Sequence, residues 1–225
     1  MRVAEHSKPC LGSCRSAIEL HPQCDKAGDY RQVLGRGHGG SGDNDGMARS
    51  SASALAPVAP SAPMLRGLAP AVRGDCCLLV LGSFPSVASL QAQQYYAHPR
   101  NQFWPIVGDL FGLELMQRPY AQRIEAVCER GLGIWDVYAH CRREGSLDSA
   151  IADALPNDLP ALVARLPSLQ LIAHNGGESA RAMRITRSLG PEVRRLPSTS
   201  PANASWSLER KRAAWREAFI AANLI

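Results

Sequence analysis

Three short polar segments carry side chains suited to holding a planar, hydrogen-bonding ligand. The first begins at Gly82-Ser83-Phe84-Pro85-Ser86 and leads to Tyr95–Trp104, YYAHPRNQFW. Gly82 and Pro85 shape a tight turn whose backbone amides can face a ligand, and Phe84, Tyr95 and Tyr96 offer flat surfaces for stacking. A strand-to-helix turn followed by core aromatics is the competing reading. His98, Arg100 and Asn101 argue against it, because so much hydrogen-bonding capacity beside Pro99 suits a core poorly.

The second segment is His174-Asn175-Gly176-Gly177. An Asn at the end of a buried strand offers both a donor and an acceptor to a planar ligand, and two glycines let that ligand approach the backbone. Helix N-capping by Asn175 is the alternative. The glycines are not a phosphate loop, since the Walker spacing with its Lys is absent, and this sets aside a nucleotide-utilising enzyme. The third segment is Leu196–Asn203, LPSTSPAN, where Leu196, Pro197, Ser198, Thr199, Ser200 and Pro201 form a stiff loop of small hydroxyls. It precedes a basic helix with Arg210, Lys211 and Arg212. Amide and hydroxyl donors in such a loop can grip successive backbone phosphates, with an ordinary Pro/Ser turn as the plainer reading. His98, Asp136 and His174 are candidates for proton transfer.

These segments need a scaffold, and the apolar pattern supplies one. Cys76–Gly82, Gly131–Val137 and Leu169–His174 are short runs apolar on both faces, which predicts buried strands, and Val193–Leu196 is a weaker fourth. Phe103–Phe111, Ala121–Arg130, Leu159–Leu166, Glu178–Leu189 and Ser207–Ala222 carry helical spacing. Strands separated by helices predict a mostly parallel four-stranded sheet covered on both faces, with any ligand outside the carboxyl ends of the strands.

Composition limits where this scaffold begins. Of 13 aromatic residues in a chain of 225, only Tyr30 precedes residue 74. Residues 37–46 contain five glycines, and residues 50–63 are almost wholly Ser, Ala and Pro. Such a stretch buries too little apolar surface to offset its ordering entropy, so residues 1–63 are expected to be a disordered low-complexity tail and 64–225 the folded domain. Met64 as the working start is an alternative. Lys and Arg exceed Asp and Glu by 9 to 4 from His174 onward, whereas residues 74–173 carry 7 against 10. A basic segment on a near-neutral body suits a local polyanion contact, with a solvated helix surface as the bland reading. No span approaches ~18 uninterrupted apolar residues, which excludes a membrane-spanning helix. Seven cysteines, two of them adjacent, and no apolar leader point to a reducing, cytoplasmic compartment rather than a disulfide framework.

Taken together, GSFPS, YYAHPRNQFW, Asn175-Gly176 and LPSTSPAN resemble the uracil-DNA glycosylase superfamily, and most closely its hypoxanthine-DNA glycosylase (DNA-deoxyinosine glycosylase) branch. Trp135-Asp136-Val137 and Gly145-Ser146-Leu147-Asp148 are similar to the same branch, and the resemblance runs from about Leu65 to the C-terminus. It implies an α/β/α sandwich that binds DNA as a monomer, flips a deaminated base and hydrolyses its N-glycosidic bond without a metal or other cofactor. It further implies that Asn101 positions the attacking water and Asn175 hydrogen-bonds the base. LPSTSPAN would pinch the strand, with Leu196 or Pro201 as wedge, and Arg100 and the helix cations would meet phosphates.

One departure bears on substrate. Ser83 and Phe84 stand where the uracil-excising branches have an Asp or Asn, so strong general-base activation of water is not available from that turn. Hypoxanthine excision suffers less, because a departing purine leaves an oxocarbenium-like sugar that a weakly activated water captures. The alternatives are a uracil or mismatch-specific glycosylase of the same fold and a non-catalytic nucleic-acid-binding module. Cys10, Cys14, Cys128 and Cys141 match no common iron–sulfur spacing.

Overall fold

The computed structural model describes residues 62–225, so the segment assigned to a tail lies, but for its last two residues, outside the described residues. In chain order the strands are β1 (Met64–Arg66), β2 (Leu78–Gly82), β3 (Leu132–Asp136), β4 (Tyr138–Arg142), β5 (Ala152–Pro156), β6 (Leu171–Asn175) and β7 (Glu192–Leu196). The helices are α1 (Val87–Ala92), α2 (Phe103–Phe111), α3 (Tyr120–Cys128), α4 (Leu159–Val163), α5 (Met183–Thr186) and α6 (Leu208–Ala221).

Four strands form a wholly parallel sheet in the order β3-β2-β6-β7. β2, β3 and β6 are buried along their whole length, as their unbroken apolar runs require, while β7 is an edge strand whose arginines are only partly covered or exposed. The connection from β2 to β3 moves one way along the sheet, and those from β3 to β6 and β6 to β7 move the other. Right-handed crossovers therefore put α1–α3 on one face and α4–α5 on the opposite face. α6 returns to the first layer, where Phe219 packs on Phe111 and Trp215 meets Phe103 edge-on. This is the expected three-layer sandwich.

Several features were not legible as periodicity. A second, antiparallel sheet, β1-β4-β5, grows directly from the end of β3. Its strands are short, β4 has only Cys141 fully buried, and β5 is largely exposed, so neither shows a clean alternation. The helix expected over Glu178–Leu189 is instead a 3-10 turn at Ser179–Ala182, the single turn α5, and another 3-10 turn at Arg187–Leu189. Ser179 and Thr186 turn their hydroxyls inward onto the two nitrogens of His174, and Ser179 Oγ also donates to Leu81 O. Local hydroxyl bonding of this kind competes with regular helix.

Trp215 joins the core to the third polar segment, for its buried indole N–H donates to Pro197 O at 3.1 Å. Trp215→Phe should lower stability by about 1–3 kcal/mol through the lost bond and partial cavity. Urea unfolding should show a lower midpoint with an unchanged slope.

Candidate active site

The parallel register sets the site. Gly82 lies beside Asp136, and Asn175 beside Leu196, so the carboxyl ends of the four strands present these residues along one edge. A cavity of about 670 Å³ opens there, walled by the GSFPS turn, Tyr95, Tyr96, Asn101, Asp136, Asn175 and the LPSTSPAN loop. Sites that enclose small organic ligands span ~300–1,000 Å³.

The GSFPS turn is strapped from outside by residues 143–148. Ser83 Oγ donates to Asp148 Oδ1 at 2.6 Å, Val87 N–H donates to Ser146 Oγ at 3.0 Å, and Arg143 donates to Pro85 O. The Arg143 guanidinium also lies over the Phe84 ring, 5.1 Å from its centroid. Phe84 thus holds a cation against its ring while it also lines the cavity.

Opposite, Asn175 grips the third segment. Its Oδ1 accepts from Thr199 N–H at 2.9 Å, while Nδ2 donates to Thr199 Oγ1 at 2.9 Å and to Tyr96 Oη at 3.3 Å. Thr199 is fully buried by this pairing. Gly176 has φ +108°, and a Cβ there would come within 2.9 Å of Ser198 Cβ; Gly177 is similarly approached by the Arg195 side chain. The glycines thus make room for the protein's own loop while both also line the cavity, and Asn175 does not cap a helix.

The aromatic and polar residues of YYAHPRNQFW divide by role. Tyr95 is core: its hydroxyl donates to Ala69 O at 2.9 Å and its carbonyl accepts from Trp104 Nε1 at 3.0 Å. Tyr96, held at φ +54°, stacks on Phe103 with centroids 3.9 Å apart and aims its hydroxyl at Asn175. Asn101 Oδ1 accepts from Phe103 N–H at 2.9 Å, and its amide nitrogen is a donor available to a water at the cavity wall. His98 accepts from Arg100 N–H within the turn and does not line the cavity.

Asp136 is different in kind. It is 4% exposed, and its Oδ2 has no hydrogen-bond partner among the described residues. A Cβ at Gly82 would fall 2.2 Å from its Oδ1, so only glycine fits beside it. Burial, and then the neighbouring Asp148 carboxylate, push its pKa up to about 7 against the opposing pull of Arg143.

A family model described as the uracil DNA glycosylase superfamily matches residues 72–222. The chain belongs to the uracil DNA glycosylase superfamily. A protein of Methanosarcina barkeri called hypoxanthine DNA glycosylase is 36% identical over 154 residues, covering 68% of this chain and 97% of the relative. One of the same name from Methanosarcina acetivorans is 38% identical over 142 residues, covering 63% and 89%. A solution NMR structure of a Methanosarcina acetivorans protein, described as a candidate uracil DNA glycosylase, superposes with TM-score 0.65 at 34% identity, covering 72% of this chain and 99% of that one.

For this superfamily member, several expected site residues are corrected by burial. Lys211 is 1% exposed, with Nζ donating to Gln102 Oε1 at 2.8 Å and Asn203 O at 2.9 Å, so it ties α2 to the loop instead of meeting phosphate. Leu196 is buried at the end of β7 and cannot wedge, whereas Pro201 is exposed. Arg212 pairs with Asp109. His174 is fully buried; because Ser179 Oγ donates to Leu81 O, it must accept from His174 Nδ1–H, leaving Nε2 to accept from Thr186. Burial pushes its pKa down to about 4, and the ring is a neutral structural group. Arg100 and Arg210 remain exposed. Sequence reasoning missed Arg143, Arg195 and Trp206 and gave no site role to Ser146 and Leu147, which it noted only within the resemblance; all but Arg143 are on the cavity wall, with Arg210 over the Trp206 ring at 4.5 Å. Trp206 beside a basic helix start was the signal available for one of them.

Two outcomes follow from these placements. The raised Asp136 pKa means the folded state holds a proton that the unfolded chain loses near pH 3.8, so stability falls as pH rises towards about 7 and the whole cost is present above it. Asp136→Asn should raise the thermal midpoint, with a gain about 3 kcal/mol larger at pH 8 than at pH 5. Separately, Arg195→Gln and Arg210→Gln should each reduce the log–log salt slope of DNA binding by roughly 0.9, while Lys211→Met should leave the slope alone and lower stability.

Proposed function

We propose that this chain is a monofunctional, monomeric DNA glycosylase that flips hypoxanthine out of DNA and hydrolyses its N-glycosidic bond. The observation that carries the reading is the cavity at the strand ends, with carboxamides and an unpaired carboxyl in its wall, Arg195 and Trp206 also lining it and Arg210 over the Trp206 ring. A base inside a duplex is unreachable by such a concave site, and a mispaired base costs less to extrude.

Hypoxanthine, rather than uracil, is supported by the names of the two Methanosarcina relatives and by Ser83 and Phe84 on the turn. Ser83 Oγ is spent on Asp148 and the Phe84 ring carries no base, so neither activates water. Water is held by the Asn101 amide nitrogen as a donor, which orients it without taking its proton. Asn175 keeps one lone pair on Oδ1 for the base, while its other hydrogen bonds fix Thr199 and Tyr96. Ser198, Thr199, Ser200 and Pro201 form the loop that meets the strand, Pro201 being its exposed apolar tip.

Release of free base from a duplex with a single deoxyinosine, without added metal, tests the function, with uracil and xanthine duplexes alongside. Loss of all base release would refute it. Asn101→Ala should slow single-turnover hypoxanthine release by ~10²-fold and cost about 1 kcal/mol, because it also removes the Phe103 N–H acceptor. Asn175→Ala should slow release and destabilise the fold by about 1–3 kcal/mol, since buried Thr199 then loses its partners. Near-parental rates in both variants would show that neither amide serves the reaction.

A further inference from the structure

We propose that Asp136 is a general acid: its carboxyl hands a proton to a ring nitrogen of the flipped purine as the glycosidic bond breaks. This rests on the reading of the chain as a hypoxanthine glycosylase and adds a group that the sequence left undecided.

The geometry singles it out. Asp136 closes the end of β3 on the cavity wall, nine-tenths buried and more, with Oδ2 unpaired and Oδ1 against Gly82. None of the groups facing it hydrogen-bonds to Oδ2. Arg143 donates to Pro85 O and stacks on Phe84, and its Nε and Nη1 find no acceptor, so it does not reach the carboxyl by hydrogen bond. Asp148 takes the Ser83 hydroxyl and adds like charge. Tyr95 and Tyr96 from the YYAHPRNQFW segment and Tyr120 from α3 are held neutral by burial. From β6, Asn175 is uncharged and tied to Thr199, and His174 is neutral. A carboxyl so placed keeps its proton up to about pH 7.

The step balances. The C1′–N9 bond breaks and its electron pair goes to the base; the Asp136 proton goes to purine N3 or N7, so the base departs neutral. Water then forms the C1′–O bond, and its surplus proton returns to the Asp136 carboxylate. With no carboxylate on the GSFPS turn to activate water, acceleration comes from the leaving group, and general acids commonly supply ~10²–10⁴-fold.

The test is single-turnover base release from duplexes containing deoxyinosine, 7-deaza-deoxyinosine or 3-deaza-deoxyinosine, from pH 5.5 to 9, by the full chain, Asp136→Asn and Asp148→Asn. The parent rate on deoxyinosine should fall about tenfold per pH unit above about pH 7. Asp136→Asn, which can donate a hydrogen bond but not a proton, should be ~10²-fold slower at pH 6 and flat with pH, while folding at least as stably as the parent. Asp148→Asn should keep the alkaline fall and move it to lower pH, because it removes a like charge. The ratio of parent to Asp136→Asn rates should collapse towards one on whichever deaza substrate lacks the protonated nitrogen. A parent rate that rises through pH 7, an unchanged pH profile in Asp136→Asn, or a ratio preserved on both deaza substrates would overturn the acid role while leaving the glycosylase reading intact. A parent that releases no hypoxanthine at any pH would overturn both.

Discussion

The pairing of Asn175 with Thr199 is the contact on which the rest of the site turns. A parallel sheet delivers its strand ends to one edge, but the edge alone is an open shelf; the LPSTSPAN loop makes it a cavity, and that loop is held by two bonds between Thr199 and one carboxamide. Each is worth only about 1 kcal/mol net, yet leaving Thr199 unpartnered in a dry position costs more than making the pair gains. The same carboxamide reaches Tyr96, whose left-handed backbone is tolerated because Phe103 and Asn175 fix its ring and hydroxyl. Trp215 and Lys211 secure the loop's two ends from α6, through Pro197 O and Asn203 O. Loop, aromatic wall and C-terminal helix are thereby one mechanical unit.

Against this satisfied network stand two incompletely paired buried groups, the Asp136 carboxyl and the Arg143 guanidinium. Buried carboxyls are normally paired, and Asp136 is not, although a guanidinium lies in its neighbourhood. Arg143 is diverted by the Pro85 carbonyl and the Phe84 face, which shape the turn. The protein thus accepts a cost in stability near neutral pH at the one point where the sheet edge, the glycine beside it and the cavity coincide. Such a cost persists where the surrounding structure over-determines it, and catalytic pockets are where it is found.

How much of this was legible in the sequence follows from the kind of signal each part carries. Burial on both faces writes itself as an unbroken apolar run, so β2, β3 and β6 were readable, and Phe103–Phe111 was readable as α2 because a single amphipathic face sets its period. β4 and β5 were not, since their pairing is to each other and to a three-residue β1, with little apolar surface to announce it. The site was legible as a set of segments but not as a set of partners. Asn175-Gly176-Gly177 suggested a ligand approaching the backbone, and the segment does line the cavity, but the sequence did not show that Ser198 and Arg195 crowd the same glycines. Lys211 looked like its neighbours Arg210 and Arg212, and only three-dimensional placement shows that its ammonium is turned inward to Gln102. A basic run records charge, not direction.

Direction also explains why the turn can lack an acid. In a site that activates water, a carboxylate must face the sugar from the strand-to-helix turn, and Ser83 and Phe84 give that up to bind Asp148 and Arg143. Those two partners belong to the strap that follows β4, so the antiparallel sheet, absent from any apolar pattern, is what fixes the turn in place of a functional carboxylate. The carboxyl that remains in the wall is one strand over, at the end of β3, against Gly82. Moving the ionisable group from the turn to the neighbouring strand exchanges a charged group near the nucleophile for a neutral one facing the ligand cavity. For a purine, whose ring nitrogens accept protons, that exchange shifts catalytic effort from making the water stronger to making the base easier to lose.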